Sequence, residues 1–230
     1  MNLMELFGVI LGDGCLVYKA GKKKKVHFLG IAGNADDEQD YFAEIKRFLE
    51  NLTSRHVSVR VRYHPQGKSL QLQLSSKSFL EFLMRKFKIH PPKTFNASIP
   101  RKYLGWKHSK HIIRGIFETD GSLFFSRLHR GGPRCYPRLE IKTSSPILAE
   151  QIVSILREQG FLARIINPRK DPTYRIYLSG YAMLHKWTRE IGFSSQKNTT
   201  KVLFWKRFGY YIPKISLVER QRSLARGTPP

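Results

Sequence analysis

Two aspartates stand in matching surroundings far apart in the chain. Asp13 lies near the end of Leu6-Phe7-Gly8-Val9-Ile10-Leu11-Gly12-Asp13-Gly14, and Asp120 near the end of Ile113-Arg114-Gly115-Ile116-Phe117-Glu118-Thr119-Asp120-Gly121. Laid over each other, Gly8 meets Gly115, Asp13 meets Asp120 and Gly14 meets Gly121. Gly8 and Gly12 are one helical turn apart, as are Gly115 and Thr119, and small residues at that spacing let two helix backbones approach closely. Side-by-side packing would bring both helix C-termini, and with them both carboxylates, to one junction. Like charges there, at the negative ends of two helix dipoles, repel. A divalent cation resolves the repulsion. Hard oxygen donors suit Mg²⁺, for which Mn²⁺ can substitute, and carbonyls near Gly12 and Thr119 could add ligands. A single Asp-Gly pair is more simply a helix-to-strand turn. Two copies in the same context favour a metal site that activates water against a phosphodiester.

The composition supports that substrate class. The 230 residues carry 41 Lys+Arg against 17 Asp+Glu, a net charge of +24, and 41% are hydrophobic, which is enough for a core. A folded chain this basic has a polyanion as its default partner, because neutralising phosphates releases counterions. Charge alone would equally suit a basic RNA-binding protein. The two cysteines, Cys15 and Cys135, make neither a disulfide framework nor a zinc site, which suggests an intracellular, reducing location. The early apolar run Leu6 to Leu11 is too short to span a membrane, and no basic leader precedes it.

The elements that must position the two aspartates also repeat. Asn2 and Glu5 look like a helix N-cap with its reciprocal partner, and the helix should end where glycine supplies a left-handed turn after Asp13. Periodicity then predicts strands near 15–19 and 26–32, a helix near 36–52, strands near 55–64 and 69–75, and a helix near 77–87. The second half predicts a helix near 109–119, strands near 122–129 and 134–143, a helix near 146–159, strands near 162–167 and 174–179, and a helix near 181–191. Each half reads α-β-β-α-β-β-α, an α+β arrangement. The expected boundaries are 1–88 for the first half, 89–107 for a Pro-containing linker, and 108–208 for the second half. Residues 209–230 form a basic C-terminal tail with no counterpart in the first half, whose order the sequence leaves open.

The two motifs and the order of elements resemble the LAGLIDADG homing endonucleases, in the single-chain form with two motifs, over about residues 2–205. The second copy departs from the name-giving pattern at Arg114, Glu118 and Thr119, but it keeps a small residue at the packing position and an acid before the last glycine. The resemblance implies two pseudo-symmetric halves packed through the motif helices, with antiparallel sheets forming a DNA-binding saddle. It implies Asp13 and Asp120 as metal-binding catalytic acids that cut both strands across the minor groove of a long, asymmetric site. It also implies that Lys93 and Lys197, each following the last helix of its half, line a pocket beside the metals, where a lysine could stabilise charge developing on phosphate. A monomer of intron type is the expected form. Splicing maturases and non-cleaving DNA-binding regulators share the fold, and RNA is the alternative partner.

In such a saddle the sheets read the major groove, and alternation supplies the readers. Arg60, Arg62, Gln71 and Gln73 face away from the apolar positions of the first half. Arg138, Glu140, Lys142, Arg175 and Tyr177 do so in the second, with Arg175 and Tyr177 at the positions of Gln71 and Gln73. Arg and Gln bond guanine and adenine edges bidentately. Lys19 and Ser126 extend the same rows. Lys22, Lys23, Lys24 and Lys25 form a hairpin suited to gripping phosphate, matched in the second half by Arg130 and Arg134. His108 and His111 show no ligand spacing and are expected on the exposed face of the second motif helix.

Overall fold

Helix α1 (Leu3–Leu11) starts where the Asn2 side chain accepts a hydrogen bond from the Glu5 amide at 3.0 Å. The computed structural model describes residues 1–20, 25–65, 67–90, 96–166 and 173–230. Glu5 does not return the bond to Asn2 as a reciprocal cap would. Its side chain is fully buried and pairs across the molecule with Arg114, at 2.7 Å. From Glu5 to Leu11 every residue of α1 is buried, so this helix is central rather than amphipathic.

After α1 come β1 (Gly14–Ala20), β2 (Lys25–Asn34), α2 (Gln39–Thr53), β3 (Ser58–His64), β4 (Gly67–Leu74) and α3 (Lys77–Phe87). The second half repeats the order with α4 (Trp106–Asp120), β5 (Gly121–Arg127), β6 (Arg134–Thr143), α5 (Pro146–Glu158), β7 (Arg164–Ile166), β8 (Tyr174–Ser179) and α6 (Tyr181–Glu190). The strands make two antiparallel four-stranded sheets, in the orders β1-β2-β4-β3 and β5-β6-β8-β7. This is the expected α+β class. In each sheet one face is apolar and covered by helices. Leu29, Ile31, Leu70, Leu72 and Leu74 are buried in the first, and Leu123, Leu139, Ile141, Ile176 and Leu178 in the second. On the opposite faces the described residues are mostly exposed or half-buried. Val61 was expected beside Val57 and Val59 on the apolar side, yet it is 43% exposed, on the edge strand β3.

One sequence expectation needs correction, and the structure adds detail to the linker and to the C-terminal region. The motif glycines do not adopt left-handed backbone: Gly121 has φ −96°, and neither it nor Gly14 has positive φ. They are glycine because the strand leaves each helix so tightly that a Cβ would strike the last turn, at the Ile10 backbone for Gly14 and the Phe117 carbonyl for Gly121. The described part of the linker is no loose tether. Ala97 and Ile99 are buried, Ile99 exchanges hydrogen bonds with the Gln151 side chain, and Ser145 Oγ donates to the Ala97 carbonyl at 2.7 Å. The C-terminal region is ordered as well, with α7 (Gln196–Phe208) and α8 (Leu217–Arg226). Arg220 of α8 is buried and donates to Thr200 Oγ1, the Tyr211 hydroxyl and the Ile215 carbonyl. No helix among the described residues is long and apolar enough to cross a membrane.

The halves meet where α1 lies against α4, both running the same way. A Cβ on Gly8 would overlap the Ile112 carbonyl and lie 3.0 Å from Gly115 Cα, and a Cβ on Gly115 would overlap the Glu5 carbonyl. The obstacle is backbone on both sides, so neither helix can yield by changing a rotamer. Gly8→Ala should therefore destabilise the fold by at least about 3 kcal/mol, the upper end of the usual overpacking penalty. Gly105 caps α4 with nothing near its would-be Cβ, so Gly105→Ala should lose less than about 1 kcal/mol. Urea denaturation of the two variants checks the contrast.

Candidate active cleft and reading surface

The parallel pairing of α1 and α4 brings their C-terminal ends to one place. Asp13 follows the α1 C-cap Gly12, and Asp120 is the last residue of α4. Both line a single cleft of about 700 Å³, with Lys19, Ala97, Lys142, Thr143 and Ser144 on its walls. Gly12 and Thr119 touch beside it. The Thr119 hydroxyl donates back to the Ile116 carbonyl at 3.0 Å, and a Cβ on Gly12 would collide with it. The two candidate carbonyl ligands thus sit at adjoining helix ends, as the spacing predicts.

Two carboxylates at the negative ends of two helices concentrate negative potential at the cleft. Among the described residues no cluster of three or more His, Cys, Asp or Glu could hold a metal by itself. That donor set fits Mg²⁺, which keeps several waters and commonly takes one or two carboxylates plus substrate phosphate. It does not fit a closed structural zinc site.

Of the two candidate lysines, Lys93 lies outside the described residues. Lys197 is described, on the first turn of α7, and its ammonium bonds Glu38 at 2.6 Å rather than lining the cleft. Glu38 is itself fixed by accepting from the Asn34 amide at 2.7 Å. One turn on, Lys201 is a half-buried cation the sequence reading missed. Its Nζ donates to the Leu123 carbonyl at 3.2 Å on the edge strand β5. Burial, with Lys197 and Arg220 nearby, lowers its pKa from 10.5 to about 8. Its only sequence signal is the one-turn spacing from Lys197.

The reading also passed over a polar seam. Arg114 donates to Glu5 at 2.7 Å and to the Ile191 carbonyl at 3.0 Å, and Ser194 Oγ donates to Glu5. Glu118 is almost wholly buried and accepts from the Ser194 amide at 2.6 Å, from Ser195 Oγ and from Asn198 Nδ2 at 2.9 Å. Burial raises the Glu118 pKa against the pull of those donors. Charged residues inside an otherwise apolar motif were the available signal, since buried charges need partners. His111 belongs to this seam and is not on an exposed face. Its Nδ1 lies 3.1 Å from Arg114, and burial and that arginine lower its pKa.

The uncovered sheet faces flank the cleft. In the first, Gln71 pairs with Ala32 and Arg60, and Gln73 with Gly30 and Ser58. A shallow depression of about 210 Å³ joins Asp13 to Arg60, Arg62, Gln71 and Gln73. In the second, Tyr177 pairs with Glu140 and Arg175 with Lys142, which confirms the expected correspondence with Gln73 and Gln71. Arg138 Nε donates to Ser126 Oγ at 3.0 Å, and its guanidinium lies 5.7 Å from the Tyr136 ring. Glu140, expected as an open reader, is only 6% exposed and sits 3.5 Å from Lys142. Lys19, Arg130 and Arg134 are exposed. Lys22, Lys23, Lys24 and the Lys25 side chain lie outside what is described, although the Lys25 backbone pairs with Ala20.

The profile of the family described as LAGLIDADG DNA endonuclease matches residues 5–185. No curated protein matches the chain. Among solved structures, a study of mesophilic variants of the homing endonuclease I-DmoI is similar at 17% identity and TM-score 0.59, covering 82% of this chain and 93% of that one. I-DmoI in complex with DNA and Mn is similar at 16% identity and TM-score 0.58, with 83% and 96% covered. The N-terminal LAGLIDADG domain of DUF199/WhiA follows at 19% and 0.53, with 83% and 80% covered. At these identities the likeness concerns the fold.

Lys201 yields a pH signature. Below about pH 8 its ammonium is charged in folded and unfolded chains alike, and the penalty of burial is fully present. Between about 8 and its ordinary 10.5 the folded chain releases the proton and the unfolded chain keeps it, so stability rises with pH. Lys201→Met removes the half-buried charge. Its melting temperature relative to the unaltered protein should therefore fall as pH rises from 7.5 to 10. A pH-independent difference in melting scans would contradict the lowered pKa of Lys201.

Proposed function

The chain belongs to the LAGLIDADG DNA endonuclease family, and we propose that it is a site-specific endonuclease that hydrolyses both strands of a long, asymmetric duplex with Mg²⁺, for which Mn²⁺ can substitute. One observation carries this reading: the two motif carboxylates, one from each half, share a cleft flanked by both uncovered sheet faces. A divalent cation held by Asp13 and Asp120, with Gly12 and Thr119 carbonyls beside them, would supply Lewis-acid activation of phosphodiester hydrolysis.

The chain's own residues do the remaining work. The faces of β2, β4, β6 and β8 are antiparallel ribbons of a size that enters a major groove. Gln71 and Gln73 offer paired donors and acceptors to adenine edges on one side of the cleft. Arg138 and Arg175 offer paired donors to guanine on the other. Exposed Lys19, Arg130 and Arg134 hold the sugar-phosphate chains and set register. The protein carries both halves in one chain, so it acts as a monomer on a site that need not be palindromic.

Selection of cleaved sequences from a randomised duplex library tests the reading and supplies the target site. Asp13→Asn and Asp120→Asn should each preserve binding in a gel shift, since charge becomes more positive and the faces are untouched. Each should lower Mg²⁺-dependent cleavage by roughly two orders of magnitude or more, given what metal activation contributes. Near-normal double-strand cutting by either variant would sink the mechanism. On that site, Gln71→Ala and Arg175→Ala should relax base preference at one or two positions on opposite sides of the centre, at about 1–3 kcal/mol per lost bidentate contact. A cleavage profile over single-base variants reads this out. A uniform loss across all variants would make the residue a backbone contact.

A further inference from the structure

The two sheets pair identically with their motif glycines and then diverge. Gly14 pairs with Ile31 on β2, and Gly121 pairs with Ile141 on β6. The next residue in each strand, Ala32 or Lys142, therefore occupies the same place. It lies on the uncovered face, one residue past the point where the strand meets its motif. Ala32 is exposed and offers a methyl group. Lys142 lines the cleft that contains Asp13 and Asp120.

Lys142 is held there. Its Nζ is 3.5 Å from Glu140 Oε1, with the lysine side chain half exposed and Glu140 nearly buried. The Tyr177 hydroxyl bonds both Glu140 and Arg175; burial and the Glu140 carboxylate raise its pKa, against the opposing pull of Arg175. Arg175 is the cross-strand partner of Lys142, and Tyr177 that of Glu140. Four side chains on two strands thus tie into one network, with its cationic end at the cleft. An exposed ion pair contributes little stability. What this one does is restrict where the ammonium can sit. An ammonium has three donors, so pairing with Glu140 leaves others for the cleft. The group is a compact point charge, suited to a phosphate oxygen rather than to a base edge.

We infer that Lys142 is a phosphate ligand of the cleft, positioned by Glu140, and that it serves only the DNA strand handled by the second half. The inference rests on the endonuclease reading above. Among the described residues of the first half, the matching position carries Ala32 rather than a cation. Lys19 also lines the cleft, but it lies five residues along β1 from Gly14, roughly 17 Å at strand rise. Lys197 is engaged by Glu38 and does not line it.

The test uses the full chain, the duplex recovered by selection, and copies of that duplex carrying one neutral methylphosphonate at each central phosphate in turn. Binding is measured in Ca²⁺, and nicking of each strand is followed separately in Mg²⁺. Neutralising one phosphate, on one strand, should weaken binding of the unaltered protein roughly tenfold, the scale of one hydrogen bond to a charged group. Lys142→Met should bind the unmodified duplex weaker by a similar factor and lose nothing further on that one modified duplex. Lys142→Met should also slow nicking of that strand more than the other, so that nicked duplex accumulates, and Lys142→Arg should restore both readouts. Ala32→Lys should create the same coupling on the opposite strand. Coupling at no central phosphate, equal slowing of both strands, or a loss that depends on base identity would each overturn the inference while leaving the endonuclease reading intact. Failure of the unaltered protein to select or cut any duplex would overturn that reading, and the inference with it.

Discussion

At Gly8 and Gly115 two helix backbones touch with no side chain between them. That contact permits no slack. A helix sliding past its neighbour by one residue, about 1.5 Å, would put Cβ atoms where only glycine fits. The contact therefore fixes the lateral spacing, direction and register of α1 and α4 together. Because the helices run parallel and in register, their C-terminal ends coincide, and Asp13 and Asp120 come to one cleft. Each helix then hands its chain straight into the first strand of a sheet, at Gly14 and Gly121, through a bend tight enough to exclude a Cβ. Gly8 and Gly115 thus place the carboxylates, and Gly14 and Gly121 place the two sheets relative to the cleft.

Around that contact lies a polar seam that specifies orientation. Glu5 of α1 meets Arg114 of α4 and Ser194 from the segment before α7, while Glu118 gathers donors from Ser194, Ser195 and Asn198. Burying such charges is expensive, and pairing them roughly offsets the expense. Their effect is to reject arrangements in which a carboxylate would be left without its donors. The C-terminal helices extend the seam. Lys197 of α7 reaches Glu38 of the first half, and Arg220 of α8 lies 3.9 Å from Asp37. The chain's last elements thus fasten onto its first half, and the two pseudo-symmetric units are joined by more than the motif helices.

The halves share a frame but not a surface. The face of the first sheet carries Gly30, Ala32, Gln71 and Gln73 where the second carries Glu140, Lys142, Arg175 and Tyr177. At these matched positions the first face presents small residues and neutral amides, and the second presents cations cross-linked through a buried carboxylate. A duplicated fold with one chain can diverge this way because each face meets a different half of its partner. The symmetric constraint falls on the helix contact, where Gly8 and Gly115 remain glycine, and on the bends at Gly14 and Gly121.

The sequence by itself determined everything set by local periodicity and by repetition. The boundaries of α3, β6 and β8 match their apolar patterns residue for residue, because strict alternation or helical spacing leaves one register that buries the apolar side. The meeting of Asp13 and Asp120 was legible because the spacing of small residues encodes a helix contact directly. Other features depend on what lies across the molecule, and one-dimensional spacing does not record that. Glu5 looks like a local cap, and only the arrival of Arg114 and Ser194 makes it a seam residue. The motif glycines look like turn glycines, yet a collision with the preceding helix turn is what excludes a side chain. Lys197 follows its helix where a cleft lysine was expected, but Glu38, from an element far away in the chain, takes its charge. Residues 209–230 have no partner in the repeat, and α8 is ordered because Arg220 finds acceptors on α7 and in the loop before α8. Tertiary structure decided these points because a buried charge or a forbidden Cβ is defined by its neighbours in space.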